Sequence, residues 1–146
     1  MYTYVLLAHI LAATIWTGGH LILSTLILPK ALRNKDPESL MEFENGFEKI
    51  GMPALFIQIA SGLWLAYQLV PDVSSWFTFE DYTTTSIALK LVVLGATGAF
   101  ALNARFRVVP KLTADTLVLF AWHIVPVTIL SVCFVILGVG IHAGGY

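Results

Sequence analysis

The chain has 146 residues, 58% of them hydrophobic and only 12% charged, against roughly 25% charged in a soluble domain. A soluble bundle of greasy helices would need a polar stripe on each helix, and none is visible. Eight basic and nine acidic residues give a net charge of −1, which excludes a nucleic-acid partner held by net positive charge.

In chain order, the first apolar window, Tyr4 to Pro29, contains no formal charge and is long enough to cross about 30 Å of hydrocarbon. The four residues from Met1 to Tyr4 include no basic residue and no convincing cleavage site follows, so span one (about 4–28) is expected to stay as an anchor. Lys30, Arg33 and Lys35 follow it. Asp36 with Pro37 is a helix start signal. Leu40, Phe43, Phe47 and Ile50 then form one apolar stripe among Glu42, Glu44 and Glu48, predicting a short amphipathic helix against the interface or the bundle. Pro53 opens span two (52–70), whose most polar members are Gln58 and Gln68. The next loop carries Asp72, Glu80 and Asp81 and no Lys or Arg. Its aromatics Trp76, Phe77, Phe79 and Tyr82 suit an interfacial belt or a lid. Span three (86–104) contains Lys90, and Arg105, Arg107 and Lys111 follow it. Span four (116–141) contains His123 and the lone Cys133, which excludes an intramolecular disulfide. His142 closes it, with Gly144 and Gly145 for slack.

The expected fold is therefore all-α: a single integral membrane four-helix bundle over 1–146. Basic loops stay on the cytoplasmic side, so both termini and the acidic loop are expected outside, in a bacterial-type inner membrane.

Three histidines lie inside these spans, and an ionisable side chain in hydrocarbon is a functional-site signal. His9 and His20 share one face of span one, about 16 Å apart along the axis, with Ala13 and Trp16 between them. His20 is nine residues before Pro29 and His123 six to eight into its own helix, which predicts matched depth near the cytoplasmic side. Facing imidazoles at one depth are what bis-histidine haem ligation requires; the alternative is that each bonds a carbonyl or hydroxyl and joins helices. His9 and Lys90, with His142 folding back, form a second, outward cluster suited to another haem, a metal or proton handling. Gly18-Gly19 and Gly95 to Gly98 allow a homodimer.

The run His9-Ile-Leu-Ala-Ala-Thr-Ile-Trp16-Thr-Gly18-Gly19-His20-Leu resembles the first helix of copper-resistance protein D (CopD)-like membrane proteins. The histidine with Trp seven residues on and then Gly is similar to the related HemJ-type protoporphyrinogen oxidases. Leu89-Lys90-Leu91-Val92 resembles their lysine-bearing helix, and four spans follow in the same order. The resemblance implies that His9 and Lys90 correspond to that family's histidine and lysine, and that haem b is bound. His20 and Ala121-Trp122-His123 stand outside the HemJ-type pattern, implying a distinct haem-protein branch. Membrane copper conduits use soft Met and Cys ligands, whereas Met1, Met41 and Met52 are central to no span.

The expected function is a membrane cytochrome b-like redox protein with one or two haems, His20 and His123 as iron ligands, and a quinone or small outward-side substrate as partner. A copper-binding or copper-uptake protein and a non-catalytic membrane subunit are the alternatives. Whether the chain is an enzyme is open. It has no Gly-rich phosphate loop, CxxC pair or C-x-x-C-H motif, so nucleotide binding and covalent haem attachment have no support.

Overall fold

The computed structural model describes residues 1–144; the slack expected of Gly145 lies outside them. Four long apolar helices make up the chain: α1 (Tyr2–Asn34), α2 (Pro37–Leu69), α3 (Tyr82–Lys111) and α4 (Leu117–Ala143). At 33 residues, α1 and α2 are about 50 Å long, so each crosses about 30 Å of hydrocarbon and projects beyond it. The end carrying the 30–36 and 105–116 connections is called the basic end below, and the end carrying the 70–81 loop and both termini the acidic end.

Two boundaries differ from the sequence expectation, each for a backbone reason. Pro29 does not end span one. A π-helical turn over Leu23–Ile27 precedes it, and such a turn absorbs the hydrogen bond that the missing proline N–H would have made. The helix therefore runs on to Asn34 and stops at Lys35, which is left-handed (φ 53°, ψ 42°). The same device recurs in α3, where Ala104–Val108 is π-helical just before Pro110. The amphipathic stretch after Pro37 also forms, with Asp36 accepting from the Glu38 and Ser39 backbone N–H groups at 3.1 and 3.2 Å. It is the first half of α2, because Pro53 is accommodated inside the helix. Its apolar stripe packs on the bundle: Leu40 is fully buried and Phe43 lies against the core.

Helices α1 and α2 form a close antiparallel hairpin, α3 and α4 a second, and α1 joins the two by packing on α4. Helices α2 and α3 do not pack closely; at the basic end the Arg105–Glu48 ion pair (3.1 Å) links them. Half-exposed, that pair is worth about 0–1 kcal/mol.

The two halves of the bundle differ in chemistry. Toward the basic end, Leu23, Leu28, Ala31, Leu40, Val108, Leu117, Phe120 and Ile124, drawn from all four helices, make one dry cluster. Away from it the buried positions include Thr17, His20, Ser61, Thr84, Ser86, Thr97, Thr128 and Ser131.

At the acidic end Asp81 caps α3 through a capping box with Thr84. The Thr84 backbone N–H, donating at 2.7 Å, and then its hydroxyl hold the Asp81 carboxyl below the ordinary 3.8. A lowered folded value means the stabilisation is present above the ordinary value and is lost as pH falls through the lowered one. Asp81→Ala is therefore expected to lower the thermal midpoint at neutral pH, with the difference from wild type shrinking in acid. Of the aromatic belt, Phe77 and Phe79 are exposed, whereas Trp76 is buried and its indole donates to the Val70 carbonyl at 2.9 Å.

Candidate functional site

Each of the three intramembrane histidines is oriented by a hydrogen bond at the same ring nitrogen. His20 Nδ1–H donates to the Trp16 carbonyl at 2.9 Å, one turn back on α1. His123 Nδ1–H donates to the Leu119 carbonyl at 2.8 Å in the same way on α4. His9 Nδ1 lies 2.8 Å from Ser61 Oγ on α2. The Ser61 hydroxyl also lies within hydrogen-bond reach of the Ile57 carbonyl. In a neutral imidazole this leaves the Nε2 lone pair as the acceptor and metal-binding atom of His20 and His123. Metal-ligating histidines are commonly oriented by such a bond at the other nitrogen.

The surroundings of His20 are aromatic. Its ring centroid is 4.4 Å from Trp16 and 5.5 Å from Phe47, the latter edge-on, and Phe43 stacks behind Phe47 at 5.9 Å. Phe47 reaches this position because Gly19 has no side chain: an added Cβ would run into the Phe47 ring. Gly19→Ala should thus displace the wall beside His20, at a cost of about 1–3 kcal/mol typical of overpacking. The expected outcome is a lowered thermal midpoint that the pair Gly19→Ala with Phe47→Leu largely recovers.

His20 and Trp16 are each 6% exposed. The Trp16 indole Nε1, Gln58 Oε1 and Thr97 Oγ1 are buried without a protein hydrogen-bond partner, a situation costing about 1–3 kcal/mol for each group left unsatisfied.

The depth match expected of His20 and His123 does not hold. Thr128 Oγ1 on α4 donates to the His20 carbonyl at 3.2 Å, and Thr17 Oγ1 on α1 to the Ser131 carbonyl at 3.5 Å. His20 is therefore level with Thr128, and His123 lies five residues nearer the basic end, about 7.5 Å along the axis. The cause is the run-on of α1 through Pro29, which moves its end to Asn34 and lifts His20 away from the basic end. The two rings also have different neighbours. His20 meets Phe47 of α2, while His123 meets Phe100 of α3, edge-on at 6.1 Å.

Lys90 and His142 lie within electrostatic range of His9. Lys90 Nζ lies 3.6 Å from where a Cβ on Gly138 of α4 would stand, so the lysine head packs against α4 at that glycine. The approach is closer on α2, where His9 Cε1 is 3.0 Å from a Cβ built on Gly62, so the glycine there admits the imidazole. All four helices thus contribute to this site: His9, Ser61 and Gly62, Lys90, and Gly138 with His142. Sequence reasoning missed Ser61, whose signal is only a hydroxyl at the depth of His9. It also missed Thr97, which nothing in its apolar surroundings marks.

Among the described residues no group of three or more His, Cys, Asp or Glu side chains is placed to hold a metal ion. Isolated imidazoles suit a metal whose other ligands come from a macrocycle, as in haem, where the protein adds only axial ligands.

A family model described as "Copper resistance protein D" (CopD) matches residues 41–141. No curated protein matches the chain, and no solved structure does. The model covers more than half of the sequence and includes α2, α3 and α4 nearly entire; with four spanning helices, the chain is a multi-pass membrane protein of the inner-membrane type and belongs to the CopD family.

Proposed function

We propose that this chain is a haem b-binding membrane redox protein, with His20 as the principal iron ligand. The observation that carries the reading is the state of His20: buried among aromatic rings, oriented through Nδ1, with Nε2 left for a metal. The donor set supports it as well. The oriented side chains are imidazoles, and among the described residues no group of three ligating side chains accompanies them, which fits a cofactor that brings its own equatorial nitrogens better than a bare ion.

When bound, haem supplies one-electron chemistry. The chain's own residues do the rest: His20 holds, Trp16 and Phe47 wall the site, and the dry cluster from Leu23 to Phe120 excludes water on the basic side. His123 presents a second imidazole against Phe100, offset by about 7.5 Å, so the reading rests on His20. With the basic loops cytoplasmic, the His9–Lys90–His142 end faces outward, where a quinone or small substrate would meet the protein.

The family description favours a second reading, a copper-binding membrane protein. Adding haemin or copper to the cofactor-free protein separates the two. Haem binding at one equivalent, giving a reduced alpha band, supports the first reading. Stoichiometric copper with no haem uptake supports the second, and neither would leave a subunit whose histidines only join helices.

A further inference from the structure

Between His9 and His20 the interior carries polar atoms that the protein itself leaves unpartnered. Gln58 Oε1, Trp16 Nε1 and Thr97 Oγ1 are each shielded from the surface, so each points into the bundle rather than at lipid. They belong to α2, α1 and α3, and they occupy successive depths. Gln58 lies one turn basic-ward of Ser61, the partner of His9. Trp16 is seven residues from His9, about 10 Å along α1. Thr97 is one turn acidic-ward of Phe100, whose ring lies 6.1 Å from that of His123, and so stands between the levels of His123 and His20. Thr17 and Ser131, also buried, stand between these levels on α1 and α4.

A bilayer offers no solvent to such groups, and helix packing gives them no partner here. Buried water meets this need where a site is polar and supplies two to four hydrogen-bonding groups. We propose that a file of ordered water enters the bundle at the His9–Lys90–His142 end, passes Gln58, reaches the Trp16 indole beside His20 and ends at Thr97.

The file stops there, because the next layer is the apolar cluster of Leu23, Phe120 and Ile124. The result is a half-channel: the centre of the bundle exchanges protons with the acidic end and is sealed from the basic end. The titratable and charged groups facing it are His9 on α1, Lys90 on α3 and His142 on α4 at the mouth, and His20 at its foot. Cys133 lies half-buried on α4 near the level of Trp16, and α2 contributes the neutral Gln58 and Ser61. The site binds water whether or not haem is present, so it stands apart from the cofactor assignment.

The test is hydrogen–deuterium exchange of the Trp16 indole in the full chain, labelled with 15N-tryptophan, reduced, and reconstituted in bilayers. The resonance is identified by its absence in Trp16→Phe. Exchange within minutes to hours of transfer to D2O is expected, about ten-fold slower in Gln58→Leu and restored in Gln58→Glu, which keeps the acceptor for water. A wild-type indole that retains its proton for days, or a rate that Gln58→Leu leaves unchanged, overturns the proposal. Ser61→Ala serves as the second variant if Gln58→Leu does not fold. It removes the hydroxyl beside the mouth and is expected to slow exchange; an unchanged rate in it counts against the file.

Discussion

His20→Ala is expected to weaken haem binding by at least about 100-fold, since loss of a mere supporting partner of a metal ligand already costs 10–100-fold. The reason is local. His20 is the imidazole enclosed by Trp16 and Phe47, and its Nδ1 bond to the Trp16 carbonyl fixes the ring with Nε2 free. Haem titration of the purified variant, followed at the reduced alpha band, measures the loss. His123→Ala should retain most of the binding, because its ring sits against Phe100 and its backbone lies about 7.5 Å nearer the basic end. Equal loss in both variants would mean that α1 and α4 slide to bring the two imidazoles to one iron, contrary to the register seen here.

Phe120→Ala carries the largest expected effect on stability. Phe120 is 0% exposed and sits in the cluster where all four helices meet. Truncating a buried phenylalanine costs about 3–5 kcal/mol, the sum of lost contacts and the cavity left behind. In a bilayer the lost term is mainly dispersion, since lipid tails are as apolar as the side chain; the void is the same. The thermal midpoint in detergent should fall sharply, and haem retention should fall with it. By contrast, Val118, 59% exposed on the lipid-facing side of the same helix, should tolerate alanine with little change. Comparable losses at the two positions would show that the cluster does not hold the helices together.

The four spans were legible because length and charge depletion suffice for them, and because lipid admits few alternatives to helices. The Asp36 cap and the stripe from Leu40 to Phe47 were legible for the same local reason. What escaped was the effect of proline. Pro29 reads as a helix end, yet the π-turn over Leu23–Ile27 carries the helix past it, and this moved His20 out of register with His123. Depth counted from an apparent helix end inherits any error in that end. Lys90 lies within electrostatic range of His9, because both sit near helix starts that the sequence marks well. The partners Ser61 and Thr97 were invisible, since a hydroxyl in an apolar helix gives no sign of which face is buried. Trp76 likewise reads as a belt residue until the Val70 carbonyl is seen to hold it.

The most direct test of haem ligation is a pyridine haemochrome on the purified full-length protein, with copper counted in the same sample. Haem b at one or more equivalents per chain, lost in His20→Ala while the fold is retained, is the expected result. A colourless protein with stoichiometric copper, or haem that His20→Ala leaves in place, would contradict it.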